Sequence, residues 1–208
     1  MSSYQVIVQP LGDFATNAYL LIHNETAIAI DAPPKAFEFY QNIVKDRGLS
    51  FNYLLLTHSH FDHIADAALI QKEGVKVGIH SLDKGNCIKP GSDGLPLVIP
   101  VEPFVPDFTL DESFLEVDGF KFEILHTPGH TPGGCCFMID NLMFSGDTLF
   151  KGSIGNLSFT TANTHLMQES LKKLLEIKIN YTVYPGHGPK TELFQEHKTL
   201  IYFQKSIG

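Results

Sequence analysis

At 208 residues, 43% hydrophobic and 18% charged, the chain has ordinary globular composition: long enough to bury a core without staples, and too apolar for a disordered segment. Its formal net charge of −8, with no cationic run, argues against nucleic acid or an anionic membrane surface as partner. Cys87, Cys135 and Cys136 form no disulfide framework, and Met1-Ser2-Ser3-Tyr4-Gln5 leads into neither a signal peptide nor a membrane span, so a reducing cytoplasm is the expected setting.

Residues 4–9 and 15–22 are β-prone and separated by a turn signal over Pro10 to Asp13. Thr26 to Asp31 is a third strand, entered through the His23-Asn24-Glu25 turn. After Pro33-Pro34, helical spacing of Phe37, Tyr40, Ile43 and Val44 predicts a helix over Pro34 to Arg47, stopped by Gly48. Asn52 to Leu56 is a short buried strand, Ile64 to Lys72 a helix ended near Gly74, and Val75 to Ile79 a strand. This alternation predicts an α/β domain. Five of the 12 prolines fall between Pro90 and Pro106, which predicts a long irregular loop. Strands resume over Ser113 to Val117, Phe120 to Leu125, Cys135 to Ile139 and Leu142 to Phe144. An amphipathic helix over Asn163 to Ile177, a strand over Thr182 to Tyr184 and a helix over Glu192 to Lys205 close the chain. No repeat or linker divides it, so one domain over 1–208 is expected.

Directly after the apolar run Tyr53-Leu54-Leu55-Leu56 comes Thr57-His58-Ser59-His60-Phe61-Asp62-His63. Three histidines and a carboxylate at the end of a buried strand need partners, and a metal ion satisfies all of them. Three further residues recur in the same context, a glycine-flanked loop after a strand. His130 lies in Thr127-Pro128-Gly129-His130-Thr131-Pro132-Gly133-Gly134, Asp147 in Ser145-Gly146-Asp147-Thr148, and His187 in Tyr184-Pro185-Gly186-His187-Gly188. In α/β folds such loops converge at one end of the strands. His58, His60, Asp62, His63, His130, Asp147 and His187 are too many for one tetrahedral zinc. They suit two divalent ions, with Asp147 the natural bridge because one carboxylate has two oxygens to share. Zinc is the first expectation, with iron or manganese as alternatives. The remaining histidines, His23, His80, His126, His165 and His197, sit in no matching context. Cys135 and Cys136 read as strand residues, and Lys151 as a solvated side chain.

This set resembles the metallo-β-lactamase superfamily, whose mark is a His-x-His-x-Asp-His loop followed by a later His, Asp and His. The resemblance spans roughly residues 4 to 190. It implies a four-layer αββα sandwich with the metals at one edge. Carried over position by position, it implies one ion on His58, His60, His130 and Asp147, and a second on Asp62, His63, Asp147 and His187. Within the superfamily the chain is most similar to the glyoxalase II-like group, through Thr127 to Gly133, Gly146-Asp147-Thr148-Leu149-Phe150 and Pro185 to Gly188. Three departures stand out. Asp66 occupies a position where glycine is usual. Asn156 and Ser158 fall where a lysine and a tyrosine would contact glutathione. Only 21 residues follow His187, which is room for one helix and not for the group's C-terminal helical domain.

Two metals bring the pKa of a bridging water from about 15.7 towards neutrality, so a hydroxide nucleophile is available at pH 7. A thiolate leaving group, with pKa near about 8.5, departs without a strong general acid, whereas an amide nitrogen needs one. The expectation is therefore hydrolysis of a small acyl thioester such as S-lactoylglutathione. A mononuclear non-haem iron persulfide dioxygenase of the same superfamily, using His58, His130 and Asp147, is the alternative.

Overall fold

The computed structural model describes residues 4–111 and 113–207; Met1 to Ser3, part of the leader reading above, lie outside the described residues. The first sheet runs in sequence order: β1 (Gln5–Leu11), β2 (Thr16–His23), β3 (Thr26–Ile30), β4 (Ser50–Leu55), β5 (Lys76–Ile79) and β6 (Phe108–Thr109). The first three strands are antiparallel neighbours; β3 to β6 are parallel. The second sheet contains β7 (Phe114–Val117), β8 (Phe120–His126), β9 (Cys135–Ile139) and β10 (Leu142–Gly146). A small hairpin of β11 (Leu149–Phe150) and β12 (Ser153–Ile154) precedes β13 (Thr182–Pro185) and β14 (Thr191–Glu192), which return to that sheet. Its order is β14-β13-β10-β9-β8-β7, antiparallel except where β13 lies parallel to β10.

Side-chain alternation along these strands builds the layers. In β2, Ala18, Leu20 and Ile22 point to one face and Tyr19 and Leu21 to the other, and all five are buried. The first face packs under α1 (Ala36–Arg47), α2 (Phe61–Ile64) and α3 (Ala67–Lys72), meeting Tyr40, Ile64, Ala67 and Ile70. The second face joins Ile28, Ile30 and Leu55 against Phe120, Phe122, Phe137 and Phe144, the core between the sheets. A third apolar layer sets Cys136, Met138, Met143 and Val183 against Met167, Leu171 and Leu174 of α5 (Thr164–Glu176) and Leu200 of α6 (His197–Ser206). Three apolar seams among four layers make the expected αββα sandwich.

Local differences from the expected elements have identifiable causes. The helix expected over Ile64 to Lys72 is broken, and α2 ends before Asp66. That residue turns away to accept a hydrogen bond from Phe37 N at 3.0 Å, serving the first turn of α1, whose own N-cap Lys35 offers no side-chain acceptor. This gives Asp66 a structural task at a position where glycine is usual. Residues 81–88, unassigned from the sequence, form a 3-10 turn (Ser81–Asp83) and α4 (Lys84–Ile88). At the C-terminus, Glu192 pairs in β14, and helix begins only at His197. Buried Glu196 holds this change of direction, accepting from Gly152 N, Thr191 Oγ1 and Thr199 Oγ1 at 2.7–2.9 Å. The proline-rich segment is irregular as expected, with neither helix nor strand between α4 and β6.

Candidate metal centre

The seven singled-out residues converge at the C-terminal ends of β4, β10 and β13 and in the β8–β9 loop, the edge where both sheets end. Donor atoms of His58, His60 and His130 lie within 4.8 Å of one another; so do those of Asp62, His63 and His187, and those of His58, His63 and Asp147. Asp147 stands between the groups. Its Oδ2 is 3.3 Å from His130 Nε2 and 3.5 Å from His187 Nε2, while its Oδ1 is 3.4 Å from His63 Nε2. Gly186 makes this approach possible, because a Cβ there would run into Asp147 Oδ1 and come within 2.7 Å of His63 Cε1.

The outer nitrogens of His63, His130 and His187 are held by groups that sequence reading missed. Asp31, fully buried at the end of β3 with φ of +60°, places Oδ2 2.8 Å from His63 Nδ1. It also accepts from Thr57 N at 2.8 Å and Thr57 Oγ1 at 2.8 Å. His130 Nδ1 is 2.8 Å from the Asn156 carbonyl and His187 Nδ1 is 3.1 Å from the Phe14 carbonyl. A carbonyl can only accept, so these Nδ1 atoms carry a proton, which leaves Nε2 as the nitrogen that would face a metal. Thr16 Oγ1 donates to Asp62 Oδ2 at 2.7 Å. A second carboxylate, Asp83, ties the two ligand-bearing loops together, accepting from Ser59 N at 2.9 Å and Gly133 N at 2.6 Å. Asp31 and Asp83 are single acids with no motif around them. The strand-end position of Asp31 was the one available signal.

These donors fit a cation better than they fit one another. The Nε2 atoms of His58, His60 and His130 are buried without any hydrogen-bond partner, and those of His63 and His187 face each other at 3.3 Å. Burial first, then the neighbouring imidazoles, pushes His58 well below its ordinary value and His60 to about 3, so both are neutral. Burial opposes the charge on Asp62, but His63 together with bonds from His187 and Thr16 holds it down at about 2. Asp147 is likewise held well below the carboxylate range, burial being outweighed by His63, His130 and His187. Neutral imidazoles and ionised carboxylates are the forms that bind borderline divalent metals.

His187 is pulled down by burial, yet its bonds to Asp147 and Asp62 raise it to about 9. In chelator-stripped protein this stabilisation is complete below its unfolded pKa of 6.5 and is lost as the pH rises through about 9. Thermal melting of stripped protein is therefore expected to move down across that window, and His187→Ala to show a shallower fall. An equally steep fall in the variant would rule this out.

The family model of the metallo-beta-lactamase superfamily matches residues 11–187. The chain belongs to the metallo-β-lactamase superfamily. Among its superfamily relatives, hydroxyacylglutathione hydrolase GloC of Haemophilus influenzae is 32% identical over 198 residues, covering 91% of this chain and 93% of that protein. The crystal structure of BLEG-1 B3 metallo-beta-lactamase matches at a TM-score of 0.87 and 31% identity, covering 96% of this chain and 99% of that one. The crystal structure of TTHA1623 in a di-iron-bound form matches at a TM-score of 0.73 and 34% identity over 93% of this chain and 98% of that one. No helix among the described residues is long and apolar enough to cross a membrane.

Proposed function

We propose that the protein is a metal-dependent hydrolase with a dinuclear centre that cleaves small acyl thioesters, in a reducing compartment that suits its three buried free thiols. The observation carrying this reading is the pair of donor groups joined by Asp147: His58, His60 and His130 on one side, Asp62, His63 and His187 on the other. Two divalent ions, zinc first by donor chemistry, would supply a water acidified towards neutrality and a Lewis acid for the acyl carbonyl.

The chain's own part is positioning. Asp31, the Asn156 carbonyl and the Phe14 carbonyl fix the tautomers of His63, His130 and His187, and Thr16 fixes the Asp62 carboxylate. Apart from members of the donor cluster, the residues lining the adjoining cleft include no acid or base: they are apolar, or Asn156. A leaving group there departs without a proton from a side chain, which favours a thiolate over an amine. In the overall step the oxygen of water adds to the acyl carbon and the carbon–sulfur bond breaks, giving a carboxylic acid and a thiol.

A mononuclear iron dioxygenase would need only His58, His130 and Asp147, leaving the assembled Asp62, His63 and His187 group idle. Metal analysis is expected to find two ions per chain, and His58→Ala to lose on the order of 10²–10³-fold in thioester turnover. One iron per chain, with oxygen uptake on glutathione persulfide and no thioester cleavage, would overturn the hydrolase reading.

A further inference from the structure

We propose that the cleft beside the metal centre selects thioesters whose acyl group is apolar and whose thiol carries no charge, and discriminates against glutathione conjugates. This rests on the hydrolase reading above. The cleft is about 320 Å³, at the small end for ligand sites. Beyond the donor residues its walls are Phe14, Phe61, Leu95, Phe150, Phe159 and Asn156. None of the chain's 15 lysines and arginines lines it.

The aromatic rings flank both halves of the centre. Phe159 stands edge-on to His60 at 5.3 Å and packs against His130 at 5.6 Å between centroids. On the other side, Phe150 meets His187 at 5.9 Å, and Phe14 meets Phe61 at 5.4 Å. A carbonyl presented to the donor cluster therefore has its substituent against ring surface, where burial of apolar area is the available source of affinity. Leu95, from the proline-rich segment, completes the wall. Its position is fixed: Leu95 N donates to Asp93 Oδ1 at 3.0 Å, and Asn86 Nδ2 donates both to Asp93 Oδ2 at 3.0 Å and to the Ser59 carbonyl at 2.7 Å. The proline-rich loop is thereby tied to the loop that carries His58 and His60.

Glutathione brings two carboxylates that lose water on entry and need cationic or multiple hydrogen-bond partners. Asn156 is the wall's one polar side chain outside the cluster. Its Oδ1 already accepts from Ser158 N at 2.9 Å, and its carbonyl is engaged by His130.

The test compares S-phenylacetyl-N-acetylcysteamine, S-phenylacetyl-glutathione and S-D-lactoylglutathione as substrates of metal-loaded protein. Alongside, titration calorimetry measures binding of the corresponding S-phenethyl thioethers of N-acetylcysteamine and glutathione, which cannot be hydrolysed. The cysteamine compound is expected to be favoured by about tenfold or more in both kcat/KM and affinity. Phe159→Ala should remove most of the affinity of the phenethyl group, and Leu95→Lys should improve binding of the glutathione thioether. If glutathione conjugates bind and turn over as well or better, the inference is overturned while the hydrolase reading stands. Predicted binding order with no cleavage of any thioester would uphold the cleft's selectivity and overturn the hydrolase reading. If neither thioether binds, the inference is overturned.

Discussion

Replacing Asp147 by alanine is expected to reduce thioester turnover by about 10³-fold or more and to lower metal content below two ions per chain. Its carboxylate stands between both donor groups, with one oxygen 3.4 Å from His63 and the other 3.3 Å from His130. Its removal also strips the negative charge that opposes crowding of five imidazoles, because His63 and His187 both draw on Asp147 for their raised pKa values. Metal analysis together with kinetics checks the expectation. A variant that still binds two ions at full strength and turns over within about tenfold of the parent would show that Asp147 does not join two sites.

Asp31→Ala is expected to cost about 3–5 kcal/mol of folding stability, the range for breaking a buried charged pair from one side. His63 is fully buried and would lose the acceptor at its Nδ1, while Thr57 N and Oγ1 would lose theirs. Asp31→Asn should be milder for the fold, because asparagine tolerates the positive φ and keeps an acceptor for Thr57. It would still fall on the order of 10–100-fold in metal affinity, the usual consequence of disturbing the outer partner of a ligand histidine. Urea denaturation separates the two. If Asp31→Ala moves stability by less than about 1 kcal/mol, the buried clasp is not what holds His63.

How much of this was readable in advance differed between motif and support. The seven candidate donors could be grouped from sequence because histidines at spacings of two and three, and glycine-flanked acids after strands, are unusual patterns, and the fold brings their donor atoms together. The layers were legible because alternation in strands such as β2 shows which faces need covering. Asp31 was read only as the end of a strand, and Asp83 not at all, since one acid in Ser81-Leu82-Asp83-Lys84 has no partner in sequence and meets Gly133 only in space. The broken helix at Asp66 was hidden for the same reason: local periodicity carried on through it, and the competing bond to Phe37 is tertiary. Leu95 sat in a segment whose prolines announced irregularity but not direction. The Glu192 boundary failed because strand pairing with β13 overrode helix propensity.

The β2 strand has one further consequence. Tyr19 Oη and Asn17 Nδ2 both reach the Pro185 carbonyl, at 2.6 and 2.9 Å, and Asn17 N bonds to Gly186 O at 2.8 Å, immediately before His187. These bonds tie β2 of one sheet to the segment carrying His187 in the other, so protein hydrogen bonds alone register the two halves of the donor cluster. A metal binding there as proposed would meet donor atoms already gathered, and little of its binding energy would go into ordering protein. The scaffold can therefore outlast its metals: chelation should empty the centre and leave a folded sandwich, ready to be reloaded with whichever ion its surroundings supply.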